Sequence, residues 1–198
     1  IPMFTFNAVR GVKQWRNVKL DWAAAIATGI ALLLWALGAG AWAGVVSLVA
    51  AALQAVRLGG WNPWATRSQP ILWVLQLAYL WIPLGLALVA LTQFGVLPRS
   101  AGIHALAIGA TGGLIIGMIT RTALGHTGRM LTAGRIETAA YALVLLAALV
   151  RVLTVAFIPA AQLGGVHAAA TLWSIAFLLY LWRYAPYLWY ARVDGKEG

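Results

Sequence analysis

Two histidines and one arginine stand in otherwise apolar stretches of the sequence and are its strongest candidates for chemistry: His104, His167 and Arg151. Both histidines are predicted within one turn of the same face of a membrane, where two neutral imidazoles can bind haem iron axially or help to hold copper. A guanidinium inside a membrane helix is costly and turns toward an anion or a water-filled cavity. The three residues therefore predict a polar site, with the histidines as metal ligands and Arg151 as the anchor of a haem propionate.

Each of these residues also has a structural explanation. A histidine at the edge of a membrane is more often an interfacial hydrogen-bonding group than a ligand, and Arg151 can donate to backbone carbonyls or extend to the surface about 10 Å away. No carboxylate is predicted near Arg151, since the four acids lie toward the other face: Asp21, Glu137, Asp194 and Glu197. An anion for Arg151 is therefore expected from another chain or from a bound ligand.

A second group of polar residues follows the fourth predicted span: Arg121, His126 and Arg129. Gly125 and Gly128 permit a tight turn between them. Such a loop can cap a helix, bind an anion through arginine and backbone N–H groups, or dock against another segment of the chain.

Other chemistries find no support in the residues. The chain has no cysteine, so disulfides, thiolate zinc sites, iron–sulfur clusters and cysteine-attached haem are excluded. It has no G-x-x-x-x-G-K phosphate loop, no H-E-x-x-H helix and no pair of carboxylates inside a predicted span. The sequence therefore carries no hydrolase or ATPase motif, and whether the protein is a redox enzyme stays open.

The elements that must position these residues are membrane helices. Of 198 residues, 63% are hydrophobic and only 9% are charged, whereas about 25% are charged in an ordinary soluble domain. Because about 20 apolar residues cross a bilayer, the sequence predicts one all-α polytopic bundle with six transmembrane helices, at residues 20–37, 40–58, 70–92, 101–121, 138–158 and 165–189.

The basic residues predict the orientation of these helices. The chain carries 14 Lys and Arg residues and a net charge of +10, and all of its cations except Arg99 and Arg151 fall on one side of the predicted spans. Since positive loops stay in the cytoplasm, both termini are predicted to be cytoplasmic. Anionic membrane lipids then account for the basic excess, and no nucleic-acid partner is needed.

Small residues predict where helices approach closely. Gly109, Gly113 and Gly117 recur every four residues in the fourth span, a spacing typical of membrane-helix packing seams. The sequence leaves open whether this seam faces another helix of the chain or a second copy.

Polar residues inside the spans are predicted to face the interior of the bundle. Gln76 and Tyr79 lie on one stripe of the third span, and His167, Thr171 and Ser174 lie on one stripe of the sixth. Because polar groups are unfavourable against lipid, both stripes are expected to point away from it.

Three segments of the sequence resemble one known family. The sequence Leu-Gly-His-Thr-Gly-Arg at residues 124–129 closely resembles the signature of the NnrS family, bacterial inner-membrane proteins of the nitric-oxide response that are described as containing haem and copper. Residues 1–7 are similar to a mid-chain Ile-Pro-x-Phe-Thr segment of that family, and residues 192–195 to its Arg-x-Asp-Gly ending. The resemblance spans the whole chain, including Arg151, but only the second half of a usual family member.

The resemblance implies an inner-membrane protein that contributes to nitric-oxide tolerance, in nitrosative stress or denitrification. Haem b or copper near the periplasmic face would be its cofactor and nitric oxide its ligand. The histidine-rich first half of the family lies outside this chain, so we expect a preceding half or a partner subunit. Two alternatives stay open: half of a small-anion transporter or channel, and a structural subunit of a larger membrane complex.

Overall fold

Seven helices form the part of the chain that the computed structural model describes, residues 1–195, and no strand occurs in that part. The helices are α1 (Pro2–Ala8), α2 (Val18–Ala36), α3 (Ala41–Gly60), α4 (Pro70–Gln93), α5 (Arg99–His126), α6 (Arg135–Phe157) and α7 (Gln162–Trp189). Short 3₁₀ turns at Pro63–Thr66 and Pro159–Ala161 precede α4 and α7.

The six helices α2 to α7 are long and apolar enough to cross a membrane. The predicted all-α fold with six membrane helices is thus confirmed, and the chain is a multi-pass membrane protein. Short connections make successive helices antiparallel. We call the end at which α2 begins and α7 ends the basic end, and the other the opposite end.

One difference from the sequence prediction concerns the end of α5. The fourth span was expected to end at Arg121, with His126 in a loop beyond it, but the helix continues to His126. Gly125 lowers helix propensity by only about 1 kcal/mol, whereas Gly128 has a φ of +72° and turns the chain. Arg121 and His126 therefore lie on a rigid helix, and only residues from Thr127 onward form the turn.

The helices pack as a row rather than as a closed ring. Helix α2 contacts α3, α3 contacts α4, and α4, α5 and α6 pack together, with α7 against α6 and α5. Helix α4 is the most buried of the row, while α2 buries only Ala24 and Ala31. The two ends of the row, α2 and α7, thus expose most of their apolar surface.

The glycine seam of α5 faces α4 of the same chain, which resolves the alternative that the sequence left open. A Cβ atom at Gly113 would lie 2.7 Å from Ala78 Cβ, and one at Gly117 would lie 2.7 Å from Leu75 Cδ2. At Gly109 the same atom would overlap the ring of Trp81. The two helices can approach this closely only because these positions lack side chains.

A π-helical segment, Ala105–Gly112, interrupts α5 directly after His104. Within it, the Thr111 hydroxyl donates to the carbonyl of Leu106, five residues earlier, at 3.1 Å. Gly112 lies against the ring of Trp173 from α7. The wider turn thus fits α5 between large indole rings of its neighbours.

A chain of polar side chains links α2, α3 and α4 near the basic end. Arg57 donates from Nε to Asp21 Oδ1 at 2.5 Å and from Nη1 to the Tyr79 hydroxyl at 2.7 Å. The Tyr79 hydroxyl donates to Gln54 Oε1, and Gln54 Nε2 donates to the Thr28 hydroxyl at 2.9 Å. This network confirms that Tyr79 faces the interior, and it joins three helices that apolar contacts alone hold weakly in lipid.

The seam predicts a stability difference between two glycine substitutions. Gly113→Leu should destabilise the protein by about 1–3 kcal/mol, because the new side chain overlaps Ala78. Gly29→Leu in α2 is the matched control, since a Cβ atom there meets nothing within 4 Å. Thermal unfolding in detergent measures both, and equal midpoints for the two variants would contradict the packing described.

The polar network predicts a cost for removing one hydroxyl. Tyr79→Phe leaves Gln54 Oε1 and Arg57 Nη1 without their partner and should cost about 1–3 kcal/mol of unfolding free energy. Tyr180→Phe in α7 removes a hydroxyl outside this network and should change stability by less than half as much. A Tyr79→Phe variant as stable as Tyr180→Phe would show that the network contributes nothing.

Candidate functional site

A cavity of about 290 Å³ lies between α5, α6 and α7 at the opposite end of the row. His104 from α5 and Arg151 from α6 are its polar lining residues, and its apolar walls include Ile108, Val166 and Trp173. The structure therefore brings together two of the three residues that the sequence singled out.

His104 presents one free ring nitrogen. Its Nδ1 lies 2.6 Å from the carbonyl oxygen of Ser100, one helical turn earlier. Because a carbonyl only accepts hydrogen bonds, Nδ1 carries the proton and the lone pair of the neutral ring is on Nε2. A backbone partner of this kind orients the ring as it does for histidines that bind metals.

Arg151 has an unpaired donor. Its side chain is half-buried, and its Nη1 is fully buried without any hydrogen-bond partner. This nitrogen does not donate to a backbone carbonyl, which was one of the alternatives for this residue. A buried donor left unsatisfied costs about 1–3 kcal/mol, and more when it is charged.

No carboxylate among residues 1–195 forms an ion pair with Arg151. The described acids pair with other arginines near the basic end: Asp21 with Arg57, Glu137 with Arg183, and Asp194 with Arg192. Glu197, the remaining acid of the sequence, lies outside the described residues. The guanidinium of Arg151 therefore has no carboxylate partner among the described residues.

His167 does not join this cavity. It follows the lining residue Val166 on α7, but its side chain is exposed and does not line the cavity. Thr171 and Ser174 are exposed as well, so the prediction of an inward polar ridge on this helix was wrong. In a membrane helix both faces are apolar, so three polar side chains on one face do not determine which face packs against the other helices.

The donor set of the cavity fits haem better than copper. One imidazole nitrogen and one guanidinium suit an axial ligand and a propionate partner. Among residues 1–195, no group of three His, Asp or Glu side chains is placed to hold a metal ion. Copper would need further ligands, from His167 or from outside this chain.

Three segments that carried the family resemblance converge at the basic end. The Phe4 ring of α1 lies 4.1 Å from the Arg121 guanidinium. The Val193 N–H donates to the Thr127 carbonyl at 3.3 Å. We call the assembly of α1, the end of α5 and residues 192–195 the basic-end cluster.

Within this cluster the C-terminal segment packs directly on Gly128. A Cβ atom at Gly128 would lie 2.6 Å from Asp194 Cγ. The Asp194 carboxylate accepts two hydrogen bonds from Arg192, at 2.9 and 2.7 Å, and raises the pKa of that arginine. Gly128 is needed both for its positive φ and for this close contact.

The predicted loop residues divide between two places in the cluster. Arg121 and His126 line an open cavity of about 480 Å³ together with Phe4 and Arg192. Arg129 instead lies over the ring of Tyr187, 3.8 Å from its centroid. The structure thus supports docking between segments as one role of this motif.

Glu137 has a role that sequence reasoning missed. Its carboxylate is buried, caps the first turn of α6 by accepting from Gly134 N at 2.9 Å, and accepts from Arg183 Nε at 3.1 Å and the Tyr184 hydroxyl at 3.2 Å. The sequence did contain a signal for this role, because Glu137 lies three residues after Gly134, at the start of a predicted helix, which is the spacing of a capping box. Glu137 fixes the start of α6 to the end of α7.

Packing at Gly128 predicts a local effect of substitution. Gly128→Ala should loosen the C-terminal segment, because its Cβ displaces Asp194 and its φ of +72° is strained. Gly195→Ala, with a φ of +71° and open space around it, is the matched control. Hydrogen exchange at the Val193 amide should be faster in Gly128→Ala by at least tenfold, and equal exchange in both variants would refute the docking.

A sequence model of one family, described as NnrS protein, matches residues 1–192. No curated protein and no solved structure is significantly similar to the chain. The match covers nearly all of the 198 residues and includes both the cavity at His104 and Arg151 and most of the basic-end cluster. The chain therefore belongs to the NnrS family.

Proposed function

We propose that this protein contributes to nitric-oxide tolerance in the bacterial inner membrane, and that its cavity at His104 and Arg151 binds the edge of a haem b. The observation that carries the proposal is one cavity lined both by His104, whose Nε2 is free, and by Arg151, whose Nη1 has no hydrogen-bond partner. Membership of the NnrS family is consistent with a role in the nitric-oxide response. The basic residues support an orientation with both termini in the cytoplasm, which puts the cavity near the periplasmic face.

The two polar residues of the cavity offer different chemistry. His104 Nε2 offers a lone pair, because Ser100 holds the proton on Nδ1, and Arg151 Nη1 offers a hydrogen on a positive group. A ligand with both an electron-pair acceptor and a carboxylate satisfies the two at once. An iron porphyrin with propionates has this combination, whereas a simple anion satisfies only the arginine.

In this proposal each residue has a defined task. His104 would coordinate the iron through Nε2, the Ser100 carbonyl orients its ring, and Arg151 would donate to a propionate oxygen. Ile108 and Trp173 would supply apolar contacts to the macrocycle. A bound haem supplies an iron centre at which nitric oxide binds.

The size of the cavity limits what this chain holds alone. About 290 Å³ is near the lower end of the roughly 300–1,000 Å³ of ligand pockets, so a macrocycle would project beyond it. We propose that His167, exposed on the neighbouring turn of α7, serves as a further haem or copper ligand. A preceding half of the protein or a partner subunit would cover the remainder of the group.

The proposal predicts the absorbance of the protein purified from haem-supplied membranes. The wild type should show a Soret band, and His104→Ala should lose it. Arg151→Met should weaken haem binding by about 10- to 100-fold, the equivalent of one charge-assisted hydrogen bond. His167→Ala tests the further ligand separately, through the position and intensity of the band.

Arg99→Met is the matched control for these variants. Arg99 lies at the same end of the row but over the ring of Trp35, outside the cavity, so its replacement should leave the Soret band unchanged. A wild type without haem, or an unchanged band in His104→Ala, would overturn the assignment.

The unpaired guanidinium also favours a second candidate function, half of a small-anion transporter or channel. Arg151 would then attract a small anion into the cavity from the opposite end. Nitrite or chloride flux in proteoliposomes, without bound metal and abolished by Arg151→Met, would support this function in place of haem binding.

A further inference from the structure

The open cavity of about 480 Å³ in the basic-end cluster brings Arg121 and His126 of α5 together with Arg192 of the C-terminal segment. Its other walls are mainly apolar: Phe4, Met118 and Leu131. The proposed nitric-oxide function does not use this cavity. Its lining is cationic on one side and apolar on the other, and both properties bear on what it binds.

Arg121 brings a positive charge that no carboxylate among residues 1–195 neutralises. The ion pairs of these residues are formed by other arginines, and the Arg121 guanidinium makes no hydrogen bond to them. Its side chain is half-buried, with the Phe4 ring 4.1 Å away. An aromatic ring stabilises the charge but accepts no conventional hydrogen bond, so the N–H groups of Arg121 remain available to an anion.

The second arginine of the cavity is already paired. Arg192 donates from Nε and Nη2 to the Asp194 carboxylate at 2.9 and 2.7 Å. The lining therefore contains one arginine inside an ion pair and one outside. A ligand with a single negative charge matches the unpaired charge of Arg121.

Gly125 leaves the space beside Arg121 open. It lies one turn after Arg121 on α5, it lines the cavity, and a Cβ atom there would meet nothing within 4 Å. Thr122 and His126, one turn apart on the adjacent stripe of the same helix, also line the cavity and are exposed. A phosphate group at this position can accept hydrogen bonds from the guanidinium, the hydroxyl and a ring N–H.

The apolar side of the cavity favours a phosphate that belongs to a lipid. Met118 lies one turn before Thr122, toward the middle of α5, and Ile115 follows in the same direction. Both side chains are exposed on a helix that crosses the membrane, and the helix rises about 9 Å from Ile115 to Arg121. An acyl chain can follow these side chains while the phosphate stays at Arg121, whereas a free phosphate ion would leave this wall without a partner.

We propose that this cavity binds an anionic phospholipid of the phosphatidylglycerol type, with its phosphodiester hydrogen-bonded to Arg121 and one acyl chain along Met118 and Ile115. Phosphatidylethanolamine has the same phosphodiester but adds an ammonium group, for which the lining offers no carboxylate. The unpaired charge of Arg121 therefore selects the lipid with a net negative charge. Anion binding is then a second role of the Leu-Gly-His-Thr-Gly-Arg motif, beside the docking of segments.

Native mass spectrometry of the full chain, titrated in detergent with dioleoyl phosphatidylglycerol or dioleoyl phosphatidylethanolamine, tests this site. The wild type should bind phosphatidylglycerol more tightly, by about tenfold. Arg121→Met should weaken phosphatidylglycerol binding about tenfold, the loss of one charge-assisted hydrogen bond. Arg10→Met removes an exposed cation at the same end of the row but outside the cavity, and should bind like the wild type.

A second variant tests the cavity while Arg121 stays in place. Gly125→Leu puts a side chain into the open space and should also weaken phosphatidylglycerol binding. Gly164→Leu in α7 is the matched control, because a Cβ atom there meets nothing within 4 Å and the residue lies outside the cavity. Thermal unfolding confirms that each variant is folded before it is compared.

Equal affinities for the two lipids, or phosphatidylglycerol binding that is unchanged in Arg121→Met, would overturn the assignment. Inorganic phosphate that displaces the lipid, together with equal binding of dihexanoyl and dioleoyl phosphatidylglycerol, would also overturn it and assign the cavity to a free phosphate ion. These readouts are independent of the Soret band that tests the His104 cavity.

Discussion

The contact between α4 and α5 depends on the absence of side chains at three positions. Membrane helices gain little from burying apolar surface against each other, because lipid tails are equally apolar, so close van der Waals contact must hold them. Gly109, Gly113 and Gly117 supply this contact against α4. Since α5 also packs on α6, the same seam fixes the position of His104 relative to Arg151.

The carboxylates of residues 1–195 lie near the basic end of the row, away from the cavity at His104 and Arg151. The carboxylates of Asp21, Glu137 and Asp194 each pair with an arginine near the basic end. The first two pairs join α2 to α3 and α6 to α7, and the third lies within the C-terminal segment. At the opposite end no described carboxylate is available. Arg151, in the wall of the His104 cavity, is therefore an arginine without a carboxylate partner among the described residues.

Sequence reasoning predicted most of the fold but only part of the site. Hydropathy and the positions of basic residues were sufficient to predict six membrane helices, because crossing a bilayer strongly constrains the length and composition of a helix. They did not show which face of α7 packs against the other helices. His167 was therefore expected in the interior, whereas the structure exposes it. The π-helical segment after His104 left no local signal, since it depends on Trp81 and Trp173 from other helices. Arg151 was identifiable because an isolated cation in an apolar span is rare whatever its surroundings.

The two helices at the ends of the row differ greatly in length. Helix α2 has 19 residues and α7 has 28, which correspond to about 28 Å and about 42 Å at 1.5 Å per residue. A hydrocarbon layer about 30 Å thick matches the first but not the second. Helix α7 must tilt, or extend its last turns with Trp182 and Trp189 into the headgroup region. A change in bilayer thickness should therefore affect the tilt of α7 more than that of α2. Helix α7 also forms one wall of the His104 cavity.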